Sequence, residues 1–133
     1  MLIAVLGWLS TGSYGYRHAK ADALFPFIVV RNQEVLTPLV LNHERIHHRQ
    51  QLETLYIGLS LRTLAERVYA TSIPGLTQQE RYFYLASEQE VHLYQANPDY
   101  LETRRLFSLF RHVFYKQRFE YITGQEPAVR IVD

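Results

Sequence analysis

Two histidines four residues apart, with a glutamate directly after the first, stand at His43-Glu44-Arg45-Ile46-His47. On a helix, side chains at i and i+4 lie one above the other, so both imidazoles can aim at a single point. Glu44 lies about 100° around the helix from His43. It can therefore reach a water molecule near that point without ligating an ion itself. The set suits Zn²⁺: two imidazole ligands, and a carboxylate that takes a proton from water whose pKa the cation has brought toward neutrality. The chain has no cysteine, so any metal must be held by His and carboxylate.

A solvated polar helix face is the plainer explanation of such a pattern. Against it, His43 to Glu53 is polar except for Ile46 and Leu52, in a chain that is 47% hydrophobic. A local break in binary pattern on a helix that must still pack is expected at functional sites. His48 points away from the His43/His47 face and reads as a surface or supporting residue.

Catalytic zinc commonly has three protein ligands and an open position. In the metzincin pattern a third His follows the motif, and here that position is Glu53. A carboxylate from a second helix is the other source, and Ser87-Glu88-Gln89-Glu90-Val91-His92 offers Glu88 and Glu90. Residues two apart on a helix sit about 200° apart, so only one of them can face the site. Glu88 shares a stripe with Arg81, Tyr84, His92 and Gln95, whereas Glu90 shares its side with Leu93 and Tyr94. The stripe selects Glu88 as the third metal ligand. His92, one turn on, is placed to orient Glu88 or to hydrogen-bond a substrate oxyanion, unless it is simply a packing histidine. Tyr84 could act similarly, but a core role is favoured. His18 and His112 read as ordinary surface or core histidines.

These residues resemble a known pattern. Glu88-Gln89-Glu90-Val91-His92 is similar to the Glu-x-x-Ala-Asp third-ligand segment of gluzincin metallopeptidases, with Val91 in place of Ala and His92 in place of Asp. More closely, Asn42 to Gln51 and Glu88 to Val91 resemble a family of short, uncharacterised bacterial proteins. Those proteins pair Asn-His-Glu-x-Ile-His-x-Arg-Gln-Gln with a later Glu-x-Glu-Ala. Phe25-Pro26-Phe27-Ile28, Tyr100-Leu101 and Arg104 look like that family too, so the resemblance spans about residues 25 to 110. It implies a zincin-like active-site helix and a shared metal site.

The elements that must position these groups follow from local signals. Leu2 to Leu9 reads as a strand or packing arm rather than a signal peptide, because no basic residue precedes it and it is too short to span a membrane. It ends at the turn chemistry of Ser10-Thr11-Gly12-Ser13. Phe25 to Val30 is the strongest strand signal, with Pro26 demoting its start to an edge or entry position. Thr37-Pro38 gives an N-cap and a proline at the first helical position. From there one long helix, or two in near succession, is expected to about Tyr69. Ser72-Ile73-Pro74-Gly75 breaks it. Thr77 and Glu80 form a capping box opening a helix to about Gln95. Asn97 is expected to cap a further helix running through a core stripe of Leu106, Phe107, Phe110, Val113 and Phe114. The tail beyond Gly124 reads as an extended arm or a frayed end. The expected fold is mainly α (α+β): three or four helices with a small N-terminal β element, in one domain over residues 1–133.

A net charge of +1, from 14 basic and 13 acidic residues, argues against a nucleic-acid partner. The apolar segments are too short for a transmembrane span, and absence of cysteine fits a reducing, cytoplasmic compartment. The leading functional expectation is a zinc-dependent hydrolase, a minimal metallopeptidase acting on a peptide or protein. Its metal would be held by His43, His47 and Glu88, with Glu44 as general base and His92 assisting. The alternative is a non-catalytic metal-binding helical domain serving as a scaffold or partner-binding module. Glu44 separates the two, because a purely structural site has no use for a general base.

Overall fold

A computed structural model of the chain describes residues 2–5, 21–30, 34 and 36–114. The fold is mainly helical with a small N-terminal sheet. The sheet has strands β1 (Leu2–Val5), β2 (Ala21–Leu24) and β3 (Phe27–Val30), in the order β1-β3-β2. β1 runs parallel to β3 and β2 antiparallel to it. Phe25 and Pro26 make the turn between β2 and β3, so the proline sits outside the ladder, where its missing N–H costs nothing. The expectation that Phe25–Val30 offers an edge is corrected: β3 is the central strand, paired on both sides. Ile28 and Val30 of that strand are fully buried. Residues 6–13, His18 and the tail after Gly124 lie outside the described residues.

Helix α1 (Pro38–Glu53) begins as its residues dictate, with Thr37 Oγ1 accepting from the Val40 N–H at 3.2 Å and proline in the first turn. The long helical stretch divides in two. The break falls at Leu55 and Tyr56, whose φ angles of 51° and 61° are left-handed. Helix α2 (Ile57–Thr71) follows. Gly58 stands in its first turn, where a Cβ would come within 3.1 Å of Thr54 Cβ.

The capping box at Thr77 and Glu80 is present in full: Thr77 Oγ1 accepts from Glu80 N, and Glu80 Oε2 accepts from Thr77 N. The helix expected to run on to Gln95 is nevertheless interrupted, giving α3 (Gln78–Phe83) and α4 (Ala86–Tyr94). Leu85, at the N-cap of α4, has no side-chain acceptor, and Glu66 Oε2 on α2 takes the Ala86 N–H at 2.9 Å instead. A tertiary contact thus supplies the cap that the local sequence lacks.

The expected third long helix does not form. Asn97 Oδ1 accepts from Asp99 N at 3.1 Å, but the helix that follows, α5 (Tyr100–Thr103), lasts one turn. Arg104 then turns extended and Phe107 takes a left-handed φ of 56°, ahead of a 3₁₀ turn over Ser108–Arg111. The cause is tertiary. The Arg104 guanidinium reaches Glu90 and Glu53, and Glu53 Oε2 also accepts the Phe107 N–H. These buried charge-assisted bonds override the local preference for continued helix. The supposed core stripe is corrected with it: Leu106, Phe107, Phe110 and Val113 are exposed, and Leu109 is the apolar residue buried there. Phe114 packs edge-on to Tyr69 and Tyr84.

Helices α1 and α4 pack antiparallel and are pinned at both ends. Asn42 Nδ2 donates to the carbonyls of Gln95 (2.7 Å) and Asn97 (2.9 Å), while Gln50 Nε2 donates to the Ser87 carbonyl (3.1 Å). Ile46 and Val91, both fully buried, pack with Tyr100 in the core between the pins. The same pinning sets the motif histidines opposite Glu88.

Candidate metal centre

His43 and His47 come from successive turns of α1, and Glu88 from the first turn of α4. One ligating atom from each lies within 4.8 Å of the other two. His47 Nε2 is 3.3 Å from Glu88 Oε1, and His43 Nε2 is 3.9 Å from Glu88 Oε2. All three side chains are largely shielded from solvent. His92, one turn along α4, brings its Nε2 to 3.6 Å from Glu88 Oε2. Glu44 is buried on α1, and its charge helps to hold a proton on His47.

The other nitrogen of each motif histidine is occupied. His43 Nδ1 lies 2.8 Å from Gln95 Oε1, and His47 Nδ1 lies 2.9 Å from Gln50 Oε1. A carboxamide oxygen only accepts, so each Nδ1 must carry the proton and donate it. Each Nε2 faces Glu88, and in the neutral ring that nitrogen carries the lone pair with which imidazole binds a metal. At Gln50 the amide orientation has an independent anchor, because its Nε2 is placed between two acceptors, Ser87 O and Glu90 Oε2 (2.8 Å).

Behind Gln50 stands a buried ionic network. Arg104 Nε donates to Glu90 Oε1 at 2.6 Å and Arg104 Nη1 to Glu53 Oε1 at 2.6 Å; Tyr100 donates its hydroxyl proton to Glu90 Oε1 at 2.9 Å. The Arg104 and Glu90 side chains are 1% and 0% exposed. Burial alone would raise the Glu90 pKa, but the Arg104 bonds win and hold it below the usual carboxylate range. Burial and the Glu90 charge push the Tyr100 hydroxyl up, so it stays a donor.

The site itself is charged unevenly. Burial, with the neighbouring His47 charge, lowers the His43 pKa to about 4. Burial also opposes a charge on His47, yet the adjacent Glu88 carboxylate prevails and raises it to about 9. Glu88 is held well below the usual carboxylate range, its burial outweighed by His47. At neutral pH the metal-free site therefore contains a His47⁺–Glu88⁻ pair beside a neutral His43.

The residues fit a divalent cation on two structural grounds. Two imidazole nitrogens and one carboxylate converge, and Glu88 Oε2 is buried with no hydrogen-bond partner. A buried carboxylate oxygen without a partner is costly, and coordination of a cation is one way to satisfy it. His92 Nε2 is buried and unpartnered in the same way.

The structure thus gathers His43, His47, Glu88 and His92 at one point, with Glu44 buried on the same helix as the motif. His48 lies on the opposite side of α1, buried rather than at the surface, with its Nε2 2.8 Å from the Phe27 carbonyl, and so ties α1 to β3. Tyr84 packs with Phe83 in the core, and His112 is buried. What the sequence does not reveal is the role of Gln50 and Gln95 as acceptors from the motif histidines. Each lies three positions after a histidine of the cluster, the helical spacing at which side chains meet. Comparison with family models, with curated proteins and with solved structures finds no match.

Proposed function

We propose that the protein is a zinc-dependent hydrolase of a minimal metallopeptidase kind, with His43, His47 and Glu88 holding the ion and Glu44 acting as general base. The observation that carries this reading is the orientation of the motif imidazoles, whose Nδ1 atoms face glutamine oxygens and whose Nε2 atoms face Glu88. The motif-level likeness to gluzincin metallopeptidases points the same way. A zinc ion bound there would lower the pKa of water toward neutrality and polarise a substrate carbonyl. The chain's own part is to exclude bulk water, to hold the imidazoles in one tautomer, and to accept a proton on the Glu44 carboxylate. His92, with its Nε2 3.6 Å from Glu88 Oε2, would help to orient that carboxylate.

The sheet favours a second reading. The central strand β3 has no free edge. At the β2 hairpin, Gln51 Nε2 donates to the Ala23 carbonyl at 2.7 Å and Gln51 Oε1 accepts from the Phe25 N–H at 3.1 Å. These are backbone groups that an extended peptide would otherwise use. A metal-stabilised helical scaffold needs no such strand edge. Glu44→Gln distinguishes the two, since it keeps the size of the side chain but cannot take a proton. Zinc content should be unchanged, while hydrolysis of unstructured peptides falls about 10²–10⁴-fold. A wild type that binds zinc, cleaves nothing in a broad peptide library and matches Glu44→Gln in stability and partner binding would support the scaffold.

A further inference from the structure

Gln95 stands between two imidazoles of the cluster. Its Oε1 lies 2.8 Å from His43 Nδ1, and its Nε2 lies 3.3 Å from His92 Nδ1. The two ends of a carboxamide are chemically unlike: oxygen accepts and nitrogen donates. One side chain therefore requires opposite tautomers of the two rings, and with its oxygen on His43 it requires a proton on His43 Nδ1 and a lone pair on His92 Nδ1. Each neutral imidazole carries one proton, so it falls on Nδ1 in His43 and on Nε2 in His92. The two rings, 5.2 Å apart between centroids, are held in opposite tautomers by the same residue.

The consequence lies on the far side of His92. Its Nε2 is buried without a hydrogen-bond partner and faces Glu88 Oε2, likewise buried and unpartnered, at 3.6 Å. Phe83 packs edge-on against the His92 ring, with centroids 4.8 Å apart. An Nε2–H in that place presents a proton to the carboxylate and has no lone pair to give to a cation.

We propose that Gln95 is a positioning residue that divides the histidines of this site into ligands and a donor, holding His43 as a ligand and His92 as an N–H donor beside Glu88. The protein then supplies three ligands rather than four, which is the difference between an open zinc site and a closed structural one. The inference rests on the metal reading for the role of His43, but the tautomers themselves can be read without metal.

Long-range ¹H–¹⁵N spectra of the full-length protein assign a proton to each ring nitrogen. With one equivalent of zinc, His43 and His47 should show Nδ1–H and a metal-bound Nε2, and His92 an unprotonated Nδ1 with Nε2–H. Gln95→Glu replaces the donor end with a second acceptor. It should move the His92 proton to Nδ1 while His43 stays as it was and zinc remains at one equivalent. A metal-bound His92 Nε2 in the wild type would overturn the proposal. So would a wild-type His92 protonated at Nδ1, or a His92 unchanged in Gln95→Glu. If zinc does not bind, the metal reading fails. The metal-free protein at alkaline pH, where the imidazoles are neutral, still reports whether Gln95 sets opposite tautomers. The same tautomer in His43 and His92 there would sink the proposal.

Discussion

Glu88 and Glu90 stand two residues apart on one helix, both almost fully buried, and live in opposite worlds. Glu90 is saturated: Arg104, Tyr100 and Gln50 all donate to it. Glu88 faces three imidazoles, and one of its oxygens has no hydrogen-bond partner. The backbone around them is the same α-helix, so the difference comes only from the direction each side chain takes. A satisfied buried carboxylate is a structural part, whereas one facing imidazole nitrogens with an oxygen unpaired has chemistry in reserve. Gln50 joins the two, taking its orientation from Glu90 and passing it to His47.

The comparison can be attacked first on the structural side. Arg104→Met leaves Glu90 and Glu53 buried without their cation, so unfolding free energy should drop by about 3–5 kcal/mol. Urea titration of the metal-free protein measures this. A change well under 1 kcal/mol would mean that the network is not the anchor of residues 104–108.

The link between the two carboxylates is tested by Gln50→Met, which removes the acceptor from His47 Nδ1 at nearly constant volume. Loss of such a supporting bond typically weakens metal binding about 10–100-fold. Competition with a chromophoric chelator reads the affinity, and a variant that binds as tightly as the wild type would show that Gln50 does not position His47.

The electrostatic asymmetry predicts a pH slope. Between the His43 value of about 4 and the His47 value of about 9, the metal-free site carries one proton that zinc must displace, the one on His47. Affinity should therefore fall about tenfold for each unit of pH lowered across that window, and level off above it. In the metal-free protein the sign is the reverse. The raised His47 pKa stabilises the fold fully below the ordinary histidine value, and that contribution is lost as pH rises through about 9. A flat affinity between pH 6 and 8 would contradict the His47–Glu88 pair.

Much of this centre is legible in the sequence, for a physical reason. The helical period fixes that His43 and His47 share a face and that Glu88 and Glu90 cannot, and Thr37, Thr77 and Glu80 announce their caps. Where non-local contacts decide, local rules fail. The interruption at Tyr84–Leu85 accompanies a cap from Glu66 on another helix. The collapse of the third helix after Thr103 follows from Arg104 reaching Glu90 and Glu53. Strand order is equally non-local: the Phe25–Val30 pattern is that of a strand, but only the pairing with β1 makes β3 central. Gln95 on the Glu88 stripe and Gln50 in the segment Asn42 to Gln51 are visible in the sequence, but their roles are not, because a two-ended amide acquires its role only from what lies at both ends.

The central claim, that Glu88 rather than Glu90 completes a zinc site with His43 and His47, is tested most directly by calorimetric zinc titration of the wild type beside Glu88→Ala. The wild type should take up one equivalent. Glu88→Ala should remain folded, since the Glu90 network is untouched, and lose stoichiometric binding. Full zinc occupancy in Glu88→Ala, or a folded wild type that binds no zinc, would contradict the account.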